Sequence, residues 1–340
     1  MSARIFLGIG GVERRKAGGF TLVELMVAML LGLIVIGGVS SVFLSNQRVY
    51  RTNKALSDVQ DSARVAFEMM ARDIRTSGLS GCDNSGRIAN VLKNGPNAGG
   101  TLAWWANFSG ASLVGYTSSQ TDLAVQGAGS TRVASTESLS LLGIEGSGVS
   151  VKTDSEPTGD FTINDSKSDL AKGDVIVVCD PDHAAITQLS NVSGTTLSHA
   201  TSGTPGNCTT DLSFPTICSS SSSYIYSANA QIAKLTAVDW YVGQNADGTN
   251  SLYRISLTNT AGVLSAPGSE MVRNVTGLNF AYHQQGNTDF ETADKITNWA
   301  QVDAVQATMA MQSVDQRAGT DTKAITRTFT STTTLRNRVE

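Results

Sequence analysis

The sequence contains few of the residues from which metal sites and catalytic sites are built. Its 340 residues include four cysteines and three histidines, and no two cysteines form a Cys-x-x-Cys pair. Zinc sites draw their ligands mainly from such residues, so we predict no metal and no cofactor. His183 follows an Asp-Pro-Asp turn, where we expect it to be exposed, and His199 and His283 have no nucleophile motif beside them. We therefore predict that the protein is not an enzyme.

Positive charge is also scarce. Lys and Arg total 25 against 29 Asp and Glu, which gives a net charge of −4 at pH 7. Generic nucleic-acid binding needs a basic surface that displaces counterions from phosphates. The glycine-rich stretch at residues 8–11 precedes no strand–helix unit, so it is no phosphate-binding loop. We expect no nucleic-acid partner.

One long hydrophobic run is present, and its position behind a basic leader is the most informative feature of the chain. Residues 14–19 read Arg-Arg-Lys-Ala-Gly-Gly, Phe20 follows, and the 20 residues from Leu25 to Leu44 contain no charge and no proline. In a secretory signal peptide the apolar part precedes the cleavage site and is discarded. A cut between Gly19 and Phe20 would instead leave the apolar run on the mature protein.

This apolar run is long enough to cross a membrane. A helix of 20 residues spans roughly 30 Å, the thickness of the hydrocarbon core of a bilayer. Basic residues lie before the run, at 14–16, and soon after it, at 48, 51 and 54. The charge difference across the run is therefore small and favours neither orientation.

The basic leader, Gly19, Phe20 and a single acid, Glu24, together resemble the class III signal of type IV pilins and type II secretion pseudopilins. The resemblance implies that a prepilin peptidase recognises Gly19, cuts after it and N-methylates Phe20. It implies that Glu24 neutralises the α-amino group of Phe20 in a neighbouring subunit; the alternative is an interfacial acid that reaches lipid headgroups. It also implies a single-pass inner-membrane protein with a cytoplasmic N-terminus.

Three glycines, Gly32, Gly37 and Gly38, lie within the apolar run. Small residues allow helices to approach closely in a membrane or a filament core. They are equally positions at which a helix is weak. Because the run has no proline, we expect any bend at Gly37-Gly38.

After Leu44 the pattern becomes that of a one-sided helix. Apolar residues recur at steps of three, four or seven, whereas charged residues, Asp73 among them, occupy the other faces. The apolar residues are Val49, Leu56, Val59, Ala63, Ala66, Phe67, Met70 and Ile74. Helix breakers begin at Ser77-Gly78, so one helix of about 87 Å is predicted over residues 20–77. Residues 20–44 would be transmembrane or filament core, and residues 45–77 would pack under a sheet.

Residues 78–340 have the composition of a β-rich globular domain, and residues 1–19 form the leader peptide. The predicted fold class is α+β, with the amphipathic half of the helix on an antiparallel β-sheet. Polar stretches at 83–100, 145–170 and 200–223 are predicted as surface loops, and 244–250 as a hairpin loop. Strands are predicted at 112–116, 137–142, 174–179, 185–189, 234–242, 251–257, 270–283, 304–311 and 326–335.

Short motifs in this domain narrow the resemblance to the PilW-type minor pilins. They include Leu-Ser-Gly-Cys at 79–82, a strand–turn–strand unit at 173–186 and Leu-Arg-Asn-Arg at 335–338. The resemblance implies a role in priming or joining pilus assembly, near the base or tip. Its implied partners are other minor and major pilins, the prepilin peptidase and the inner-membrane pilus assembly platform. The alternatives are a type II secretion pseudopilin and a tip adhesin that binds a ligand through the loops of 83–223.

The four cysteines all lie beyond the apolar run, where oxidising conditions allow disulfides. They are Cys82, Cys179, Cys208 and Cys218, and four cysteines allow three connectivities. We favour Cys82–Cys179 with Cys208–Cys218, because the second pair would close a short loop.

Overall fold

The computed structural model describes residues 19–78, 87–108, 111–219 and 223–335. The chain divides into two compact units between Lys54 and Ala55. One helix, α1 (Leu22–Thr76), contributes to both units. The long N-terminal helix predicted from the sequence is therefore confirmed.

The second unit is rich in β-strands, which confirms the α+β class. A short helix, α2 (Leu123–Gly127), lies between its second and third strands, and 3₁₀ turns occupy Trp104–Ala106, Ala293–Lys295 and Trp299–Gln301. The strands are β1 (Ile88–Asn90), β2 (Leu113–Tyr116), β3 (Ser138–Ser155), β4 (Asp160–Ile163), β5 (Val175–Cys179), β6 (Ala184–Gln188), β7 (Asn191–Ser193), β8 (Thr196–Ser198), β9 (Gln231–Gln244), β10 (Asn250–Ser256), β11 (Thr258–Thr260), β12 (Val263–Ser265), β13 (Gly268–Arg273), β14 (Val275–Gln284), β15 (Phe290–Glu291), β16 (Val302–Gln312) and β17 (Thr326–Thr334).

Strand β9 is the centre of the larger sheet. It pairs antiparallel with β3 and β5 along its first half, and with β3 and β10 along its second half. The sheet continues through β5 to β6 and β1, and through β3 to β4, β8 and β7, while β2 pairs with β3 and β13 with β10. The pairing of β1 with β6 is parallel. A second, antiparallel sheet has the order β15-β14-β16-β17.

Parts of the polar stretches predicted as loops are strands instead. Strand β3 continues to Ser155 because a β-bulge between Gly146 and Val149 absorbs the glycines there, and β4 follows at once. Strand β1 lies within 83–100, and the stretch 200–223 contains the fully buried Asn207. The stretch 244–250 is a hairpin loop as predicted, with the Asn245 side chain accepting from the backbone N–H groups of Asp247 and Thr249.

The strand predicted over 270–283 is two strands in two different sheets. Asn274 has a φ of 60°, a left-handed conformation that ends β13 and redirects the chain into β14. Asparagine adopts this conformation more readily than most residues. A change of sheet at a single residue leaves no mark in the hydrophobic pattern, so the sequence did not predict it.

The second half of α1 packs into the largest core of the unit. Its buried side chains in this core are Val59, Ala63, Ala66, Met70 and Ile74. They share it with side chains of β3 and β9 from the larger sheet and of β14 and β16 from the smaller one, so both sheets meet on the helix. Val49 was predicted on this stripe, but its side chain is 56 % exposed. The buried stripe begins instead at Ala55, the first residue of the second unit.

Asp73 links the last turn of α1 to the larger sheet. Its Oδ2 accepts hydrogen bonds from Trp240 Nε1 at 2.9 Å and from Arg254 Nε at 2.8 Å, and its Oδ1 accepts from Arg254 Nη2 at 3.1 Å. Trp240 lies fully buried in β9, and Arg254 lies in β10 with its guanidinium 5.9 Å from the centre of the indole. Charge-assisted hydrogen bonds of this bidentate kind are among the stronger polar contacts in proteins.

Replacing Asp73 with Ala should lower the free energy of unfolding by about 2–3 kcal/mol, because a buried indole N–H and a guanidinium would lose their acceptor. Urea unfolding of the full-length protein in detergent measures this. Glu68→Ala is the control on the same helix. The Arg64–Glu68 pair is 78 % and 65 % exposed, so no measurable change is expected. Equal effects of the two substitutions would contradict the role of Asp73.

Candidate functional site

The segment from Gly19 to Glu24 is open to solvent in the structure. Gly19 and Phe20 lie immediately before α1, and the Phe20 side chain is 83 % exposed. A Cβ atom added to Gly19 would meet no atom within 4 Å, and Gly19 does not have a left-handed φ. Nothing in the described fold therefore requires glycine at position 19. Any requirement for glycine there has to come from outside the described residues.

Thr21 begins the helix. Its hydroxyl Oγ1 accepts a hydrogen bond from the Glu24 N–H at 3.3 Å, and its carbonyl accepts from the Leu25 N–H at 3.1 Å. Thr21 and Glu24 have the spacing of a capping box, in which the first residue bonds the backbone N–H of the fourth. Glu24 is exposed and lies in the first turn, where the helix dipole favours a negative charge. The Thr21 hydroxyl thus satisfies the backbone N–H of Glu24, and the Glu24 carboxylate remains exposed.

The first half of α1 is a bare apolar helix. Between Leu22 and Leu44 its large apolar side chains are all at least half exposed within the described structure. By length and composition α1 is able to cross a membrane, since an 18-residue window has a mean hydropathy of 2.5 and none of it is buried. The helix continues without interruption through Gly37 and Gly38. In water this surface would be strongly unfavourable, at roughly 25 cal/mol per Å² of exposed apolar area.

Each cysteine that the structure describes is disulfide-bonded. Cys208 and Cys218 form a disulfide, which is the short-loop pair favoured by the sequence. Cys179 is also disulfide-bonded. Cys82 lies outside the described residues.

Two ionisable groups of the second unit with perturbed pKa values, His199 and Glu156, are enclosed together. His199 Nε2 and Glu156 Oε1 are 3.4 Å apart, with side chains that are 0 % and 1 % exposed. Burial raises the pKa of Glu156 to about 7, with a further contribution from Asp154, and burial lowers the pKa of His199 to about 4. Burial thus favours the neutral form of each. The pair lies inside the protein, where no substrate would reach it.

Other candidates from the sequence are also part of the interior. His183 was expected to be exposed, but it is 3 % exposed, with Nε2 at 3.0 Å from the Leu212 carbonyl and its ring against Tyr224. Trp240 and Tyr241 are likewise buried in the core. Over the described ranges, no three His, Cys, Asp or Glu side chains are grouped so that they could hold a metal ion.

Comparison with known families matches the N-terminal segment alone. A family model described as Prokaryotic N-terminal methylation motif matches residues 14–40, which include Gly19, Phe20, Glu24 and most of the apolar run. Comparisons with curated proteins and with solved structures gave no match. The motif supports a type IV pilin-like or pseudopilin protein. It implies processing by a prepilin peptidase and contact with other pilus components.

Proposed function

We propose that this chain is a minor pilin of a type IV pilus, of the PilW type, and that a prepilin peptidase cuts it between Gly19 and Phe20. The observation that supports the proposal is the bare apolar helix, whose first part, up to residue 40, lies within the methylation motif. Cleavage at this position removes the basic leader and retains the helix. A protein that keeps such a surface has to bury it.

Two environments can cover the helix in turn. Lipid covers it while the protein waits in the inner membrane, since 20 apolar residues match the bilayer core. The helices of other pilins cover it after the protein leaves the membrane. Contacts that run head to tail and do not close generate a filament. In this role the protein has as its partners other minor and major pilins and the inner-membrane assembly platform.

The proposed topology has the leader in the cytoplasm and the second unit on the outer side of the inner membrane. Oxidising conditions there are compatible with the Cys208–Cys218 disulfide. After assembly the protein would belong to the extracellular pilus, near its base or tip.

Two other functions are compatible with the same apolar helix. A type II secretion pseudopilin would carry the same motif, and the genes that neighbour this one separate the two machines. A tip adhesin is favoured by Phe214 and Ile217, which are 45 % and 54 % exposed within the loop that Cys208 and Cys218 close. Substitutions at these two residues that abolish surface attachment while pili remain normal would favour the adhesin.

Mass spectrometry of the protein purified from its own cells tests the proposed function. We expect a mature chain that begins at Phe20 and carries one added methyl group on its α-amino nitrogen. An N-terminal peptide and an intact mass together give both results. A chain that begins at any other residue, or that lacks the apolar helix, would contradict the proposal.

A further inference from the structure

Strand β17 forms an open edge of the smaller sheet. The sheet ends with it in the order β15-β14-β16-β17, and β17 pairs with β16 from Thr326 opposite Gln312 to Thr334 opposite Ala304. Within the described parts of the chain, no strand and no isolated bridge lies on its other side. In an antiparallel pair, alternate residues direct their N–H and C=O groups away from the partner strand. About half of the backbone polar groups of β17 therefore face solvent.

This edge is long and accessible. Nine residues of strand extend over about 30 Å. Six of the nine are threonines, and five of these are exposed, namely Thr326, Thr328, Thr330, Thr332 and Thr334. Threonine is a β-branched residue that suits an extended chain.

The edge also lacks the features that usually prevent strand pairing. Natural edge strands are short, or carry charges, lysine or proline that discourage another strand. At the opposite end of the same sheet β15 has two residues, and the edge strand β13 of the larger sheet contains Glu270 and Arg273 within six residues. β17 has one charged residue, Arg327, and no proline or lysine. An edge left open in this way fits a function that uses it.

We propose that the free edge of β17 is a strand-addition site, which accepts an extended, uncharged segment of a different protein chain as a fifth strand of the sheet. An extended backbone of another chain can replace the water at these groups and pair with the alternating N–H and C=O groups along the whole strand. Main-chain hydrogen bonds would give affinity, and the threonine row would favour β-branched neighbours.

The occupant is a segment of a different protein chain and not the β17 strand of a second copy, because pairing between two copies of β17 cannot extend a filament. Antiparallel pairing of β17 with itself has a two-fold axis, so it joins two molecules and then closes. A growing filament needs contacts that do not close. This step rests on the proposed function as a pilus component.

Hydrogen–deuterium exchange of the full-length protein tests the proposal directly. Uptake is compared between protein in detergent micelles and protein in filaments sheared from cells, for the peptides that cover β17 and β16. We expect about half of the β17 amides to exchange rapidly in micelles and to become protected in filaments, whereas β16, paired on both sides, is protected in both. Unchanged uptake of β17 in filaments that contain the protein would overturn the inference alone. Absence of the protein from filaments would overturn the proposed function together with the inference.

Two matched lysine substitutions show whether a partner binds at the edge of the sheet or on its face. Thr330 and Thr308 are opposite each other on β17 and β16, and their hydroxyl groups are 3.1 Å apart. Thr330→Lys places a charge on the edge strand, and we expect at least a tenfold loss of incorporation into filaments. Thr308→Lys breaks the same hydroxyl contact in the interior of the sheet, and we expect normal incorporation. Equal loss in both variants would assign the interface to the sheet face, and no loss in either would likewise overturn strand addition.

A cysteine at the centre of β17 tests the alternative in which two copies of the protein pair through β17 as a symmetric dimer. In antiparallel self-pairing about its centre, Thr330 of one molecule would lie opposite Thr330 of the other. A disulfide-linked homodimer of Thr330→Cys in cells would therefore assign the edge to a second copy and overturn the proposal. We expect this variant to form no homodimer.

Discussion

Replacing Gly19 with Val should leave the leader, residues 1–19, attached to the protein, so that the uncut form accumulates in the inner membrane. Added methyl groups in a tight binding site commonly cost a factor of ten or more in catalytic efficiency. We therefore expect processing to fall at least about tenfold. The measurement is the ratio of full-length to mature chain, by mass spectrometry or by electrophoretic mobility.

The structure makes this substitution a clean test of recognition. A Cβ atom at position 19 meets no atom of the described residues within 4 Å, so the variant should fold as the wild type does. Gly37→Val is the matched control, because a Cβ there also meets no atom within 4 Å and the residue lies in the same unit. The control should be processed at the normal rate. Normal processing of Gly19→Val would show that the peptidase does not recognise this glycine.

Replacing Glu24 with Gln should leave cleavage and methylation intact but prevent entry into filaments. In a dry helical bundle, the positive α-amino group of Phe20 in a neighbouring subunit would lose its counter-charge. Removing one partner of a buried ion pair costs about 3–5 kcal/mol, which corresponds to a loss of incorporation of roughly two to four orders of magnitude. Immunodetection of the protein in sheared pili, relative to the membrane fraction, measures the effect.

The choice of glutamine separates two roles of Glu24. Thr21 caps the helix through the backbone N–H of Glu24, and glutamine keeps that bond and the spacing of a capping box. The helix start should therefore be unchanged, and only the charge is lost. Glu24→Asp retains the charge and should restore most of the incorporation. If Glu24→Gln enters pili normally, the acid interacts with headgroups and has no role in assembly.

The sequence predicted the elements of the fold better than their contacts. The 3.6-residue pattern and the breakers at Ser77-Gly78 locate α1 because both signals are local. Strand runs such as 174–179 and 304–311 were found for the same reason. Val49 continues the apolar pattern but has no protein over it, since the pattern does not show where the second unit begins.

The polar contacts of the interior were missed because they join distant residues. Asp73 lies among the charged residues of the helix, and nothing near it in sequence distinguishes it from an exposed acid. Its partners Trp240 and Arg254 are 167 and 181 residues away. His183 likewise lies in a turn sequence, and the carbonyl that covers it, that of Leu212, belongs to a loop 29 residues later. The opposite holds for the proposed cleavage site, because a peptidase recognises contiguous residues and the matched motif at residues 14–40 is itself contiguous.

For a filament subunit of the kind proposed, the bond between Asp73 and the larger sheet would also have a mechanical consequence. Tension along the helix would enter the second unit from Ala55 onward, through the buried stripe. Asp73 adds a polar link near the end of that stripe, to Trp240 in β9 and Arg254 in β10, the central strand and its neighbour. Part of the load would therefore reach the sheet before the chain leaves the helix at Ser77.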